Sequence, residues 1–273
     1  IEDHNKGLKH IHNKEIVSIG DPDLRFEEDP VRSLRAIRFC TKLNFKINNN
    51  IKEAIYKKGH LLSSVSNARL FDEFCKIFLN GMAEKNFNKL VSFGLNKYLV
   101  STNLNGCEFS NQLIIEALRN TDNRIKNNQS VTPGFLIAAL LWPQLIKKSL
   151  KGNEINLKKF FRSMDSILRN QQKITAIPRK FHTYIKDIWV LQLKLHSRIG
   201  RQPYKTLKHP RFRAAYDFLL VREKAAAKTK DLGFWWTEFQ KNNEDLKKKL
   251  INDLKKNNLE ESSKIFGFSK ELR

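Results

Sequence analysis

Arg25-Phe26-Glu27-Glu28-Asp29-Pro30-Val31-Arg32-Ser33-Leu34-Arg35-Ala36-Ile37-Arg38-Phe39-Cys40 opens a helix and writes two faces onto it. Asp29 stands where a side-chain oxygen accepts from the backbone of the first turn, and Pro30 supplies the φ favoured at the first helical position. The helix is therefore expected to begin at Asp29. Val31, Leu34, Ile37 and Cys40 recur every three residues. Arg32, Arg35 and Arg38 recur at the same interval one position later, about 100° round the helix. One stripe buries, and its neighbour stays wet and cationic, a row suited to an anion. The competing reading is that Asp29 only caps and that the arginines pair with carboxylates on neighbouring helices.

Upstream, Gly7-Leu8 and then Glu15-Ile16-Val17-Ser18-Ile19-Gly20-Asp21-Pro22 read as a short β-strand ended by a Gly-Asp-Pro turn. Downstream the chain reads as helix. Thr132-Pro133, Ile177-Pro178 and His209-Pro210 can each set proline at a helix start, and periodic apolar groups follow, such as Leu70, Phe74, Ile77 and Phe78. The fold class expected is mainly α, with strand confined to the amino terminus. At 273 residues the chain hides about three-quarters of its unfolded surface, as one extended domain or two compact ones.

Several readings are excluded or demoted. The apolar run from Phe135 to Ile146 is interrupted by Pro143 and falls short of the roughly 20 residues of a membrane span. Cys40, Cys75 and Cys107 are odd in number and widely spaced, which suits a reducing cytoplasm and neither a disulfide framework nor zinc. His4, His10 and His12 lack carboxylate or cysteine companions at ligand spacing. Trp235-Trp236, beside Phe234 and Phe239, reads as a packing anchor.

Charge is the second large signal. The formal net value is +23, and its clustering matters more than its size, because asparagine, lysine and isoleucine are abundant throughout. Between Lys173 and Arg213 stand Lys173, Arg179, Lys180, Lys186, Lys194, Arg198, Arg201, Lys205, Lys208, Arg211 and Arg213, against the single acid Asp187. Such a face draws polyanions by releasing their counterions, with single-stranded RNA the natural partner. The candidate contacts are Lys173, Arg179, Lys180, Arg201, Lys205, Lys208, Arg211 and Arg213. Tyr204, Phe212 and Tyr216 interleave with them and can either stack on bases or face the core. A merely solvated helical face is the bland alternative.

The stretch from Phe26 to Phe39 resembles the neck motif of the class II template-independent nucleotidyltransferases, the poly(A) polymerases and CCA-adding enzymes of bacteria. The resemblance implies that Asp29 and Arg32 read the base of an incoming nucleotide and that Arg35 and Arg38 hold its phosphates. The chemistry agrees, since a carboxylate only accepts, a guanidinium only donates, and adenine's edge offers an amino donor beside a ring-nitrogen acceptor. Ile177-Pro178-Arg179, Ile188 to Gln192, His209 to Arg222 and Trp235 to Gln240 look like the carboxy-terminal body of the bacterial poly(A) polymerases, where CCA-adding enzymes differ. Asn120 to Ile125 and Pro133 to Leu136 belong to the same likeness.

That family implies an elongated helical neck and body with a β remnant of the palm domain. Residues 1–24 would end the palm, 25–110 form a nucleotide-binding neck, 111–242 an RNA-binding body, and 243–273 a partly disordered tail of mixed charge. It implies ATP as substrate, RNA 3′ ends as partner, and magnesium held by an Asp-x-Asp pair after a Gly-Ser turn in the palm. Asp21-Pro22-Asp23 lies in the turn itself, with neither the preceding Gly-Ser nor a strand context, so the chain is expected to select nucleotide and bind RNA but to be inactive alone. The alternatives are a CCA-adding enzyme and a non-catalytic RNA-binding module.

Overall fold

In a computed structural model, residues 3–101, 108–152, 154–225, 227, 229 and 231–256 are described. Cys107 and the tail from 257 onward lie outside them. The described residues form fourteen α-helices and two two-stranded ribbons, so the chain is mainly α as its periodicities require. They fall into two compact units. The first takes Ile1–Thr102, Thr121–Val131 and Asn170–Ile177; the second takes Asn103–Asn120, Thr132–Arg169 and Pro178–Arg273.

In the first unit, helix α1 (Gly7–His12) leads into strand β1 (Glu15–Ile16). Gly20-Asp21-Pro22 does more than turn. Asp21 accepts from the Asp23 N–H at 2.9 Å and Pro22 takes the first helical position, starting α2 (Pro22–Glu28), a helix that the turn reading passed over. Helix α3 (Val31–Leu43) follows. Asp29 is extended, Pro30 already has helical dihedrals, and Asp29 Oδ1 accepts from the Val31 N–H at 3.2 Å. The cap is thus at Asp29, while the regular helix starts two residues later. Val31, Leu34, Ile37 and Cys40 are all buried, and full burial of each large apolar side chain contributes about 1.5–3 kcal/mol.

Asn44 ends α3 in the left-handed region at φ 55°, with Phe45 N–H bonded to Cys40 O and Asn44 N–H to Thr41 O. This pair of bonds satisfies carbonyls the last turn leaves open, and asparagine tolerates the backbone it needs. The reversal brings strand β2 (Lys46–Ile47) beside β1 in parallel, pairing Glu15 with Lys46 and Ile16 with Ile47. The amino-terminal strand therefore finds its partner after α3.

Helices α4 (Asn49–Lys58), α5 (Asn67–Phe78) and α6 (Ala83–Ser92) complete this unit's core. Asn86, fully buried, donates to Ile77 O at 2.7 Å and accepts from Thr41, which ties α3, α5 and α6 through one satisfied amide. The Asp122 carboxylate accepts from the N–H groups of Ala83 and Glu84 at 2.7 and 3.1 Å, capping α6 from a distant part of the chain. Gln171 likewise bonds Leu99 O, Thr175 and the Ser101 N–H.

Helix α7 (Glu108–Lys126) precedes α8 (Pro133–Ser149), which begins at a Thr132 cap as its Thr-Pro step predicts and runs through Pro143. A short antiparallel pair, β3 (Leu150–Lys151) with β4 (Glu154–Ile155), was not foreseen. Then come α9 (Leu157–Gln172), α10 (Arg179–Leu195), α11 (Gln202–Leu207), α12 (Phe212–Lys224), α13 (Leu232–Lys241) and α14 (Glu244–Lys256). Helix α10 starts at its predicted Pro step, but His209-Pro210 lies in a turn before α12. Trp142, Trp189 and Trp236 are fully buried, and the last two donate to Ala138 O and Leu195 O at 2.9 and 2.8 Å. Arg222 is buried too, its guanidinium 4.9 Å from the Trp142 ring and 2.9 Å from Gln192 Oε1. No helix among the described residues is long and apolar enough to cross a membrane.

Candidate functional site

The acids of the motif divide their labour. Glu28 pairs with Arg25 at 2.9 Å, Glu27 pairs with Lys58, and Asp23 with Lys57 at 2.5 Å, so α2 is held against α4 by its own carboxylates. Asp29 is placed differently. Its Oδ1 caps α3 and its Oδ2 meets Arg69 Nη2 at 2.8 Å, with the Arg69 N–H itself bonded to the Ser66 cap of α5. Two donors therefore orient the Asp29 carboxylate. An ionised carboxylate has about four lone-pair sites, so this carboxylate can still accept from a ligand.

The arginines behave otherwise. Arg32 and Arg35 are exposed, and neither has a hydrogen bond or ion pair among the described residues. Arg38 is half-buried, its guanidinium 4.9 Å from the Phe39 ring and its Nε buried without a partner. Among the described residues no protein carboxylate pairs with this row. Three guanidinium groups spaced about one turn apart, with no acid between them, leave a positive field that an anionic ligand relieves. The Asp29–Arg69 pair is the contact that sequence reasoning missed. Arg69 lies 40 positions downstream in a different helix, and no local pattern links the two.

Burial pushes the Cys75 thiol up to about 11 and raises that of Cys40 as well, which keeps both protonated at neutral pH. Among the described residues no group of three or more His, Cys, Asp or Glu is placed to hold a metal ion.

All eight predicted RNA contacts are exposed. Lys173 belongs to the first unit and the other seven to the second. Arg211 lies 5.0 Å from the Tyr184 ring, Lys180 5.2 Å from Phe181, and Arg213 pairs with Asp217 at 3.1 Å. Two further cations of the stretch are engaged: Arg198 is buried against Trp235, and Lys186 pairs with Asp165 at 2.5 Å. The aromatics need correcting as base-stacking candidates. Phe212 and Tyr216 are buried in the cluster around Trp236, and Tyr204 packs on Phe239, because their spacing puts them on the apolar faces of α11 and α12. A cavity of about 410 Å³ opens beside α10 and α11, with Lys194, Lys205, His209, Thr206 and Gln202 in its wall. Lys194 and His209 were not among the predicted contacts.

Two family models each match part of the chain. Residues 44–102 match the family described as "Probable RNA and SrmB-binding site of polymerase A", and residues 153–265 the "Polymerase A arginine-rich C-terminus". Poly(A) polymerase I of Salmonella typhi is 35% identical over 265 residues, covering 93% of this chain and 57% of that protein. The chain thus spans under two thirds of the length of this relative. A CCA-adding enzyme of Anoxybacillus flavithermus is 37% identical, but over 93 residues only, 34% of this chain and 23% of its own length. A solved structure described as a tRNA-processing enzyme superposes with a TM-score of 0.60 at 17% identity, covering 92% of this chain and 68% of that one, which shows a shared fold.

Proposed function

We propose, from the premise that the chain belongs to the poly(A) polymerase family, that it selects ATP and holds single-stranded RNA while AMP is added to an RNA 3′ end. The observation that carries this reading is an oriented carboxylate, Asp29, beside exposed guanidinium groups, Arg32 and Arg35, that nothing in the described residues neutralises. Asp29 accepts from the adenine amino group and Arg32 donates to the ring nitrogen. Arg35 and Arg38 meet phosphates, and the basic residues from Lys173 to Arg213 keep the RNA associated. Magnesium, which nucleotidyl transfer uses to activate the hydroxyl and neutralise pyrophosphate, is assigned to residues outside those described. The present residues contribute binding, not the transfer step. The cytoplasm is the compartment that supplies these substrates. A CCA-adding role is disfavoured because the likeness to such an enzyme spans only a third of the chain, whereas the poly(A) polymerase likeness continues through the basic body.

Arg69→Met tests the orientation of Asp29. The cap bond from Val31 survives, the ion pair does not, and the preference for ATP over other nucleoside triphosphates is expected to fall several-fold with RNA affinity unchanged. Equal selectivity of variant and wild type in a competition assay refutes that role. The RNA face is tested by salt. If four phosphates are neutralised, log affinity for a single-stranded oligonucleotide falls with log salt at a slope of about −2.8, at roughly 0.7 per contact. A flat response removes the basic-face reading.

A further inference from the structure

Among the described residues of the first unit, Tyr56 is the one aromatic counted among the exposed large side chains, at 66%. It sits in the last turn of α4 and its ring meets that of Phe93, which closes the carboxy-terminal end of α6, with centroids 5.3 Å apart and planes tilted by 45°. A lone exposed aromatic needs no explanation. Two rings on two helices that leave a face to solvent form a surface with a direction.

Lysines reach that surface from both helices, with the acid Glu53 three residues before Tyr56 on α4. Lys52 precedes Tyr56 by four residues and Lys89 precedes Phe93 by four, which sets the Cβ of each lysine roughly 6 Å from that of the ring residue, one helical turn behind it. Both lysines act on the Cys40 thiol through their charge, so the two side chains converge on one flank. Lys52 Nζ bonds only the neutral Asn49 Oδ1, and neither lysine has an ion pair among the described residues. Beyond Phe93 the backbone turns at Gly94 with φ +68°, where an added Cβ would meet nothing within 4 Å, so this side is open.

We infer that Tyr56 and Phe93 form a stacking platform for one nucleobase of single-stranded RNA, with Lys52 and Lys89 meeting the adjoining phosphates. The inference rests on the RNA-binding reading above and adds a contact in the first unit, where the aromatics of the basic stretch supply none. Every base has a π-face, so the platform serves any RNA sequence. The charge complementarity favours RNA over a protein partner, whose apolar side chains would not need the flanking ammonium groups.

The experiment is a titration of short single-stranded RNA carrying 2-aminopurine against the whole chain. Tyr56→Ala is expected to weaken binding about 5- to 150-fold, the equivalent of ~1–3 kcal/mol per stacked base, to abolish the 2-aminopurine quench, and to leave the salt slope unchanged. Tyr56→Trp restores affinity and quench. Lys89→Ala lowers the salt slope by about 0.7 while retaining the quench. Tyr56→Ala loses one aromatic pair, about 0.5–1.5 kcal/mol, and Tyr56→Phe, which keeps the ring pair, serves as the folding control. Wild-type affinity and quench in Tyr56→Ala overturn the platform while the RNA-binding reading stands, and so does unaltered RNA binding accompanied by loss of a protein partner. Failure of the wild-type chain to bind RNA at all removes both.

Discussion

Arg32→Ala is expected to lower the preference for ATP over other nucleoside triphosphates by about 5- to 150-fold in the intact protein, while RNA affinity stays within two-fold. The magnitude follows from the roughly 1–3 kcal/mol that a good paired contact to a base edge discriminates. Arg32 suits this test because it is exposed and has no ion pair among the described residues, so its removal leaves neither a cavity nor an orphaned partner among them. Asp29→Ala is less clean, since Asp29 also caps α3 and pairs with Arg69, and loss of a cap costs ~1 kcal/mol of stability by itself. Arg32→Lys separates charge from geometry: an ammonium keeps the charge but lacks the planar fork, so selectivity falls while affinity for triphosphates is largely kept. Nucleotide competition with Arg32→Ala that matches wild type would falsify the adenine-reading role.

Trp236→Ala is expected to destabilise the second unit by about 3–5 kcal/mol, the range for truncating a buried large aromatic. Trp236 is fully buried among Phe212, Trp235 and Phe239, with ring centroids 5.0 to 5.6 Å away, and its Nε1 donates to Leu195 O near the end of α10 at 2.8 Å. Truncation opens a cavity and leaves that carbonyl without its indole donor. Trp236→Phe keeps most of the packing and loses the bond, so its cost is smaller. Because the basic residues of α10, α11 and α12 stand on this cluster, RNA affinity should fall with the unfolding of Trp236→Ala and recover under conditions that refold it. A urea midpoint that moves by less than the equivalent of ~1 kcal/mol refutes the anchoring role.

Both expectations depend on features that differ in how openly the sequence shows them. The apolar stripe and arginine row of α3 are legible because helical periodicity is local: residues three apart share a face whatever else the chain does. The Asp29 cap is legible for the same reason. Helix α2 was hidden because its seven residues are too few to show a period, and because it is held by Lys57 and Lys58 on α4, more than thirty positions away. His209-Pro210 does precede a helix, but α12 has its cap at Arg211, so the proline stands just before the first helical position and does not fill it.

Helical class, the capped amphipathic segment, the cationic row and the density of charge between Lys173 and Arg213 follow from composition and near-neighbour spacing, which need no knowledge of what packs where. The Arg69 clamp on Asp29, the burial of Phe212 and Tyr216, and the meeting of Tyr56 with Phe93 do not. Each joins side chains on different helices, or asks which of two faces turns inward. Long-range packing chooses among such outcomes by burying the most apolar surface while leaving the fewest polar groups unpaired, and that choice is made by the whole core at once.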